Sequence, residues 1–307
     1  NDRARAGLGG VAEYGITVRW DKNYLKMVRL LLERRSQFSM FGGVRFGGTV
    51  TVEDAFALAF HPLALCAGAG KPTVLDLPNG LARGVRAASD FLMALQLTGA
   101  AKKDSIANLQ IRLPVVVIGG GLTAIDTATE SLAYYPLQVE KFLSRHEILV
   151  QERGEAAVLA AMNAEEREIA FEFISHAEAI RAERVAAERE GRTPDIAGLV
   201  NGWGGVTIAY RRRLIDSPSY TLNHEEVLKA LEEDIRFAEG LSPVAVEVDA
   251  AGHACALEVA GEQNGQKIEA TLPARTILVA AGTQPNTVLA REDATHAFID
   301  GKYLRGL

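Results

Sequence analysis

The chain's 307 residues, 48% hydrophobic and 23% charged, have the balance of an ordinary globular protein and the length for one large or two smaller domains. A net charge of -6 argues against a general nucleic-acid surface, and no apolar run reaches the ~18 residues that would span a membrane. Cys66 and Cys255 are far apart and neither belongs to a C-x-x-C, which excludes a thioredoxin-type redox pair and points to a reducing, cytoplasmic setting.

Residues 1–20 carry Gly7, Gly9, Gly10 and Gly15 and offer no clear element before Ile16-Thr17-Val18. With no initiator Met, the opening reads as that of an excised segment of a longer protein. Asp21 can cap a helix to about Arg35 with Leu25, Val28, Leu31 and Leu32 on one face. Phe38–Phe46 reads as a strand with an irregularity at Gly42-Gly43, and Thr51 caps a short helix with Asp54 at its third position. Pro62–Ala67 reads as a short buried strand that breaks at Gly68-Ala69-Gly70 before Lys71-Pro72. A twin stands near the other end, Thr276–Ala281 breaking at Gly282-Thr283 before Pro285. Two such turns are what two crossovers between a host domain and an inserted domain would need; the plainer reading is two unrelated strand ends.

Ser89 can cap a helix through Leu97, and Thr98–Gln110 is a loop. Then comes the most informative stretch, Val115-Val116-Val117-Ile118 followed by Gly119-Gly120-Gly121-Leu122-Thr123-Ala124. A β-branched strand, a G-x-G-x-x-A turn and an Ala-rich helix are the start of a dinucleotide-binding βαβ unit. Gly119 permits the turn, Gly121 lets backbone approach a pyrophosphate, and Ala124 lets helix and strand pack closely. The N–H groups of the first helical turn, Leu122 and Thr123 among them, then face the phosphates. The helix is expected to run to about Tyr134 and stop at Pro136.

Residues 137–203 read as a helical insertion, with charges at i, i+4 spacings and an apolar stripe of Ile169, Phe173, Ile174 and Ile180. That stripe is expected to offer a contact surface for a partner or a second copy of the chain, unless it packs on its own domain. His146 and His176 lie within the segment and read as surface or packing residues; no metal site is expected. Val206–Tyr210 is a strong strand ending in Arg211-Arg212-Arg213. At this point of a dinucleotide fold an acidic residue takes the 2′-hydroxyl of NAD, whereas Arg accommodates the 2′-phosphate of NADP. Asn223 can cap the next helix, with Leu228, Ala230, Leu231 and Ile235 inward, and Val244–Val248, Ala254–Val259 and Ile268–Leu272 read as antiparallel strands.

Four segments together resemble the glutamate-synthase small-subunit-like branch of the FAD- and NADPH-dependent pyridine nucleotide–disulfide oxidoreductases. They are Gly9-Gly10 with Tyr14-Gly15-Ile16; Val117–Asp126, similar to the family's Ile-Gly-Gly-Gly-Asn-Thr-Ala-Met-Asp; Tyr210-Arg211-Arg212 with the Glu225–Glu233 helix; and Ile277–Asn286, like the family's Ala-x-Gly-x-x-Pro-Asn turn. The resemblance implies a Rossmann-like α/β domain with an antiparallel layer and a helical insertion over 86–284, flanked at 1–85 and 285–307 by pieces of a truncated FAD domain. It implies that NADPH is held by Gly119, Gly120, Gly121, Leu122, Thr123, Ala124, Arg211 and Arg212, and that Gly68, Ala69, Gly282 and Thr283 lie near the two cofactors. It also implies hydride passage between NADPH and FAD, with electrons going to or from a partner domain or subunit through iron–sulfur centres. The first glycine fingerprint of such enzymes and their closing Gly-Asp segment have no counterpart here, so FAD is not expected on this chain alone, and no catalytic acid or base is assigned. Two other classes stay open: a non-catalytic nucleotide-binding or scaffold module, and a plain NAD(P)-dependent dehydrogenase, which would need an acid–base group beside the nicotinamide.

Overall fold

A computed structural model describes residues 22–263, 265–301 and 303–306, with backbone alone for 22–26 and 263. Gly9, Gly10, Tyr14, Gly15, Ile16, the strand expected at 16–18 and the cap expected at Asp21 lie outside the described residues. The elements are, in order, α1 (Lys22–Glu33), α2 (Val52–Ala57), β1 (Lys71–Pro72), β2 (Val85–Ala87), α3 (Ala88–Leu97), β3 (Val115–Ile118), α4 (Leu122–Arg153), α5 (Glu155–Ala160), α6 (Ala164–Glu190), α7 (Ile196–Gly202), β4 (Val206–Tyr210), α8 (Pro218–Glu232), β5 (Arg236–Glu239), β6 (Leu241–Val248), β7 (Ala254–Gln263), β8 (Gln266–Pro273), β9 (Thr276–Val279), β10 (Thr283–Gln284), α9 (Val288–Glu292), β11 (Ala297–Asp300) and β12 (Tyr303–Gly306). They divide into two compact units, Val74–Ala281 and the described residues up to Thr73 with those from Gly282.

The larger unit is built on a five-stranded parallel sheet in the order β2-β9-β3-β4-β5. All four residues of β3 are buried because both faces of the sheet are covered. Val115 and Val117 point into a core shared with α3, α4, α6, α7 and α8. Val116 and Ile118 point the other way, against Val246, Leu257 and Val259 of the antiparallel meander β6-β7-β8. The alternation within an all-apolar run therefore serves two cores. The Rossmann-like layering and the antiparallel layer are as the sequence implies.

Two expectations for this unit change. Pro136 does not stop the helix, which continues for 32 residues to Arg153. A proline costs the helix one hydrogen bond and a ring clash, but the residues around it hold the helix in place. Tyr134 and Tyr135 are fully buried, Tyr134 Oη accepts from the Leu109 N–H at 3.2 Å, and Gln138 makes two bonds to the Ile111 backbone at 2.8 and 2.9 Å. The segment 137–203 thus begins as part of α4. Its stripe is core: Phe173 and Ile180 are buried, and Ile169 and Ile174 pack on the same cluster. The surface charges join helices rather than following one helix, with Arg181 on Glu147 and Arg184 on Glu140.

Smaller differences follow the same logic. Ser89 lies inside α3, whose N-cap is Ala87. Ser217 caps α8 with Pro218 next, and Asn223 sits at an extended break (φ -156°, ψ 79°) within it. Val227 and Ala230 are the inward residues there, while Leu228 and Leu231 are exposed.

In the smaller unit the capping box of Thr51 and Asp54 forms as expected. Phe38–Phe46 is not a strand; a single bridge, Phe46 to Val50, is all that pairs there. Val28 and Leu31 of α1 are exposed. Pro62–Ala67 is mostly exposed irregular chain, and the short strand comes after the glycines, at Lys71–Pro72. That strand pairs antiparallel with β10, Pro72 opposite Thr283. The Asn286 N–H donates to the Gly68 carbonyl at 3.0 Å, so the twin turns bond to each other.

Candidate functional site

The site begins where β3 ends. Gly119 has φ +155°, and a Cβ there would stand 2.3 Å from the Ala280 carbonyl oxygen, so only glycine lets β3 turn this close to the chain after β9. Its N–H donates to Ala209 at 3.0 Å, and the Ala280 N–H donates to Ile118 at 2.8 Å. A Cβ on Gly120 would collide with the Tyr210 ring, and the Gly120 carbonyl accepts from the Ser219 N–H at 3.1 Å. Gly121 is different. Its φ is -95°, a Cβ there would meet nothing within 4 Å, and as N-cap of α4 it brings no side chain to the helix end. The first N–H groups of α4, on Leu122 and Thr123, have no carbonyl within the helix to receive them. Ala124 is fully buried in the core, which is the close packing its small side chain was assigned.

Beside this turn, β4 pairs with β3 in parallel register, so both strands end at the same edge. Arg211, Arg212 and Arg213 follow and are all exposed. Arg213 is committed to Asp216, whose carboxyl it holds below the ordinary range through their hydrogen bond. Arg211 and Arg212 have no side-chain hydrogen bond or ion pair among the described residues. The parallel register of β3 and β4 thus brings Gly119–Ala124 and Arg211-Arg212 to the same end of the sheet, although about 85 residues separate them in sequence. Sequence reasoning placed Tyr210 at the strand end but did not foresee its packing on Gly120, and it missed Ser219, which ties α8 to the turn.

Gly68, Ala69, Gly282 and Thr283 belong to the smaller unit and are exposed. Gly68 and Gly282 take positive φ, 65° and 101°, which explains the glycines in both turns. Among the described residues one group could hold a metal, Glu53, Asp293 and His296, with ligand atoms within 4.8 Å of one another. Asp293 already accepts from the Thr295 and His296 N–H groups and faces His296 Nδ1 at 3.0 Å, the bonding of a turn. His176 is a packing residue, stacked on Trp203 at 3.8 Å with Nδ1 2.6 Å from Tyr135 Oη, and burial holds its pKa below the ordinary 6.5. Cys66 and Cys255 are both free thiols. No helix among the described residues is long and apolar enough to cross a membrane.

Fold and turn together define an α/β unit of the dinucleotide-binding type. No family model matches the chain. It is 43% identical over 258 residues to RP006, an uncharacterised protein of Rickettsia prowazekii (strain Madrid E); the match covers 84% of this chain and 34% of that protein. The chain therefore spans about a third of the curated relative's length. Similar solved structures include a ferredoxin reductase of Rhodopseudomonas palustris, with 13% identity, TM-score 0.36, and 75% of this chain and 36% of that chain covered. A FAD-dependent pyridine nucleotide-disulphide oxidoreductase of Desulfovibrio vulgaris gives 14%, 0.36, 76% and 38%. The thioredoxin reductase of Lactococcus lactis gives 14%, 0.34, 74% and 46%. The fold assignment rests on strand order and the glycine turn rather than on these distant likenesses.

Proposed function

We propose that Val74–Ala281 is the NADPH-binding unit of a flavin-dependent oxidoreductase. The observation that carries this reading is the pairing of an uncapped helix end at Gly121 with two exposed, unbonded guanidiniums, Arg211 and Arg212, at the same sheet edge. The residues suit the group: backbone N–H donors for the pyrophosphate, open space at Gly121 for its approach, and cations for a 2′-phosphate. NADPH supplies hydride chemistry when bound, and the chain's part is to hold and orient it.

The flavin enters through the family resemblance alone. Among the described residues of the smaller unit no second strand–glycine–helix start stands ready for its pyrophosphate, so no residue is assigned to that group. In the whole protein, electrons would pass to or from a partner domain or subunit carrying iron–sulfur centres, as the same resemblance implies.

Titration of NADPH and NADH, followed by nucleotide fluorescence, tests the reading. A charge-assisted contact to phosphate contributes about 1.5–3 kcal/mol, so NADPH should bind about ten- to hundredfold tighter than NADH. Arg211→Ala/Arg212→Ala should abolish that preference and leave NADH affinity unchanged. Equal affinities in the wild type, or a preference that survives the double substitution, refute the assignment. Failure of both nucleotides to bind would favour the scaffold reading.

A further inference from the structure

At the opposite edge of the same sheet, where β2, β3 and β9 begin, a cavity of about 430 Å³ is lined by Arg83, Arg86, Arg112, Arg275 and His253. The four residues of β3, at about 3.3 Å each, separate it from the glycine turn. No carboxylate is among its lining residues. Its wall is fixed by backbone bonds, from the Ala254 N–H to Arg83 and from the Ile277 N–H to Gly84. Thr276 Oγ1 pins Arg112 from both sides, accepting from its N–H and donating to its carbonyl, each at 2.9 Å.

Three carboxylates of α6 pair with these groups: Glu172 bridges Arg112 and Arg275, Glu168 reaches Arg112 at 3.2 Å from an exposed position, and Glu165 serves both Arg83 and His253. Asp249, on the turn after β6, also acts on His253 and Arg112 through its charge. Arg86 has no side-chain hydrogen bond or ion pair among the described residues, and Arg112, with its side chain 8% exposed, buries an Nε–H that has no acceptor. Buried donors are normally satisfied, so the Arg112 Nε–H is an exception within this network, whereas Arg86 is exposed and its charge is not committed to α6.

We propose that this cavity binds a small oxyanion, a phosphate ester or a dicarboxylate. The exposed guanidiniums of Arg86 and Arg83 would be its donors, with the more buried charges of Arg112 and Arg275 behind them. Planar guanidiniums match the paired oxygens of both groups, and the volume suits a small metabolite. The site is independent of the nucleotide reading.

The test uses the whole chain carrying Arg211→Ala/Arg212→Ala, which removes the two arginines proposed to hold the nucleotide phosphate from the measurement. Inorganic phosphate and succinate are titrated separately by calorimetry. The expected result is that one of them binds with a Kd below about 1 mM, phosphate marking a phosphate-ester site and succinate a dicarboxylate site. Exposed Arg86→Ala should weaken that binding about tenfold without changing the circular dichroism spectrum, and NADPH should not displace the anion from the wild-type chain. The proposal is overturned if both probes bind more weakly than that, if Arg86→Ala changes affinity by less than about threefold, or if NADPH competes.

Discussion

Gly119→Ala and Gly121→Ala add one methyl group each, two positions apart, and the geometry assigns them opposite outcomes. A Cβ on Gly119 would lie 2.3 Å from the Ala280 oxygen, about 1 Å inside the 3.4 Å of ordinary contact, at a φ that L residues rarely adopt. The backbone can yield only by stretching the Gly119 bond to Ala209 and the Ala280 bond to Ile118, which tie β3 to both neighbours. Overpacking of this kind costs about 1–3 kcal/mol, and a weakened buried hydrogen bond about 1 more, so a loss of about 2–4 kcal/mol is expected. At Gly121 the methyl group meets no atom, and Ala for Gly at an N-cap costs about 1 kcal/mol or less. That methyl group would stand where the pyrophosphate is proposed to approach, so NADPH affinity should fall about tenfold or more. Urea denaturation measures the first quantity and fluorescence titration the second. If Gly121→Ala destabilises as much as Gly119→Ala, or binds NADPH like the wild type, the division of labour argued for this turn is wrong.

Glu172→Gln leaves the buried Arg112 with only the exposed Glu168 as its ion-pair partner and should cost about 1–3 kcal/mol, whereas Glu168→Gln, at a 73% exposed side chain, should be close to neutral in the same denaturation assay. His176 is held below 6.5 chiefly by burial, opposed by Glu172 and aided by Arg275. As pH falls through about 6.5 the unfolded chain takes up the proton first, so stability should decline from there down to the folded-state pKa and not above it. His176→Gln should flatten that acid limb, and an unchanged slope between about pH 7 and 5 would contradict it. Replacement of 137–203 by a Gly/Ser linker should leave the chain unfolded by circular dichroism, because it removes Val139, Leu143, Phe173, Ile180 and Val200 from the core; a folded product would mean the segment is peripheral after all.

What could be read in advance was local. Val115–Ile118 and the three glycines announce themselves because strand, turn and helix signals are contiguous, and Thr51 with Asp54 did so for the same reason. Pro136 misled because its neighbours' burial is set by Leu109 and Ile111, outside the helix and some 25 residues away. The Arg112–Glu172–Arg275 network left no trace in sequence, since its members lie 60 and 103 residues apart and meet only once α6 packs beside the sheet. The apolar residues of Phe38–Phe46 alternate like a strand, but the chain pairs there only at Phe46 and Val50, and Met40 and Phe41 are exposed.

The position of β9 between β2 and β3 bears on how the polypeptide is made. β2 ends at Ala87 and pairs with β9, which begins only at Thr276, so within this sheet the first strand made must wait for the last. At ordinary synthesis speeds of about 5–20 residues per second that wait is about 10–40 s. Through it, β3 and β4 can pair along one side, while Ile277 and Leu278, which join the two cores, are not yet available to cover the other. Until β9 is made the nascent chain thus carries an open parallel edge at β3, a natural place for a chaperone to hold it.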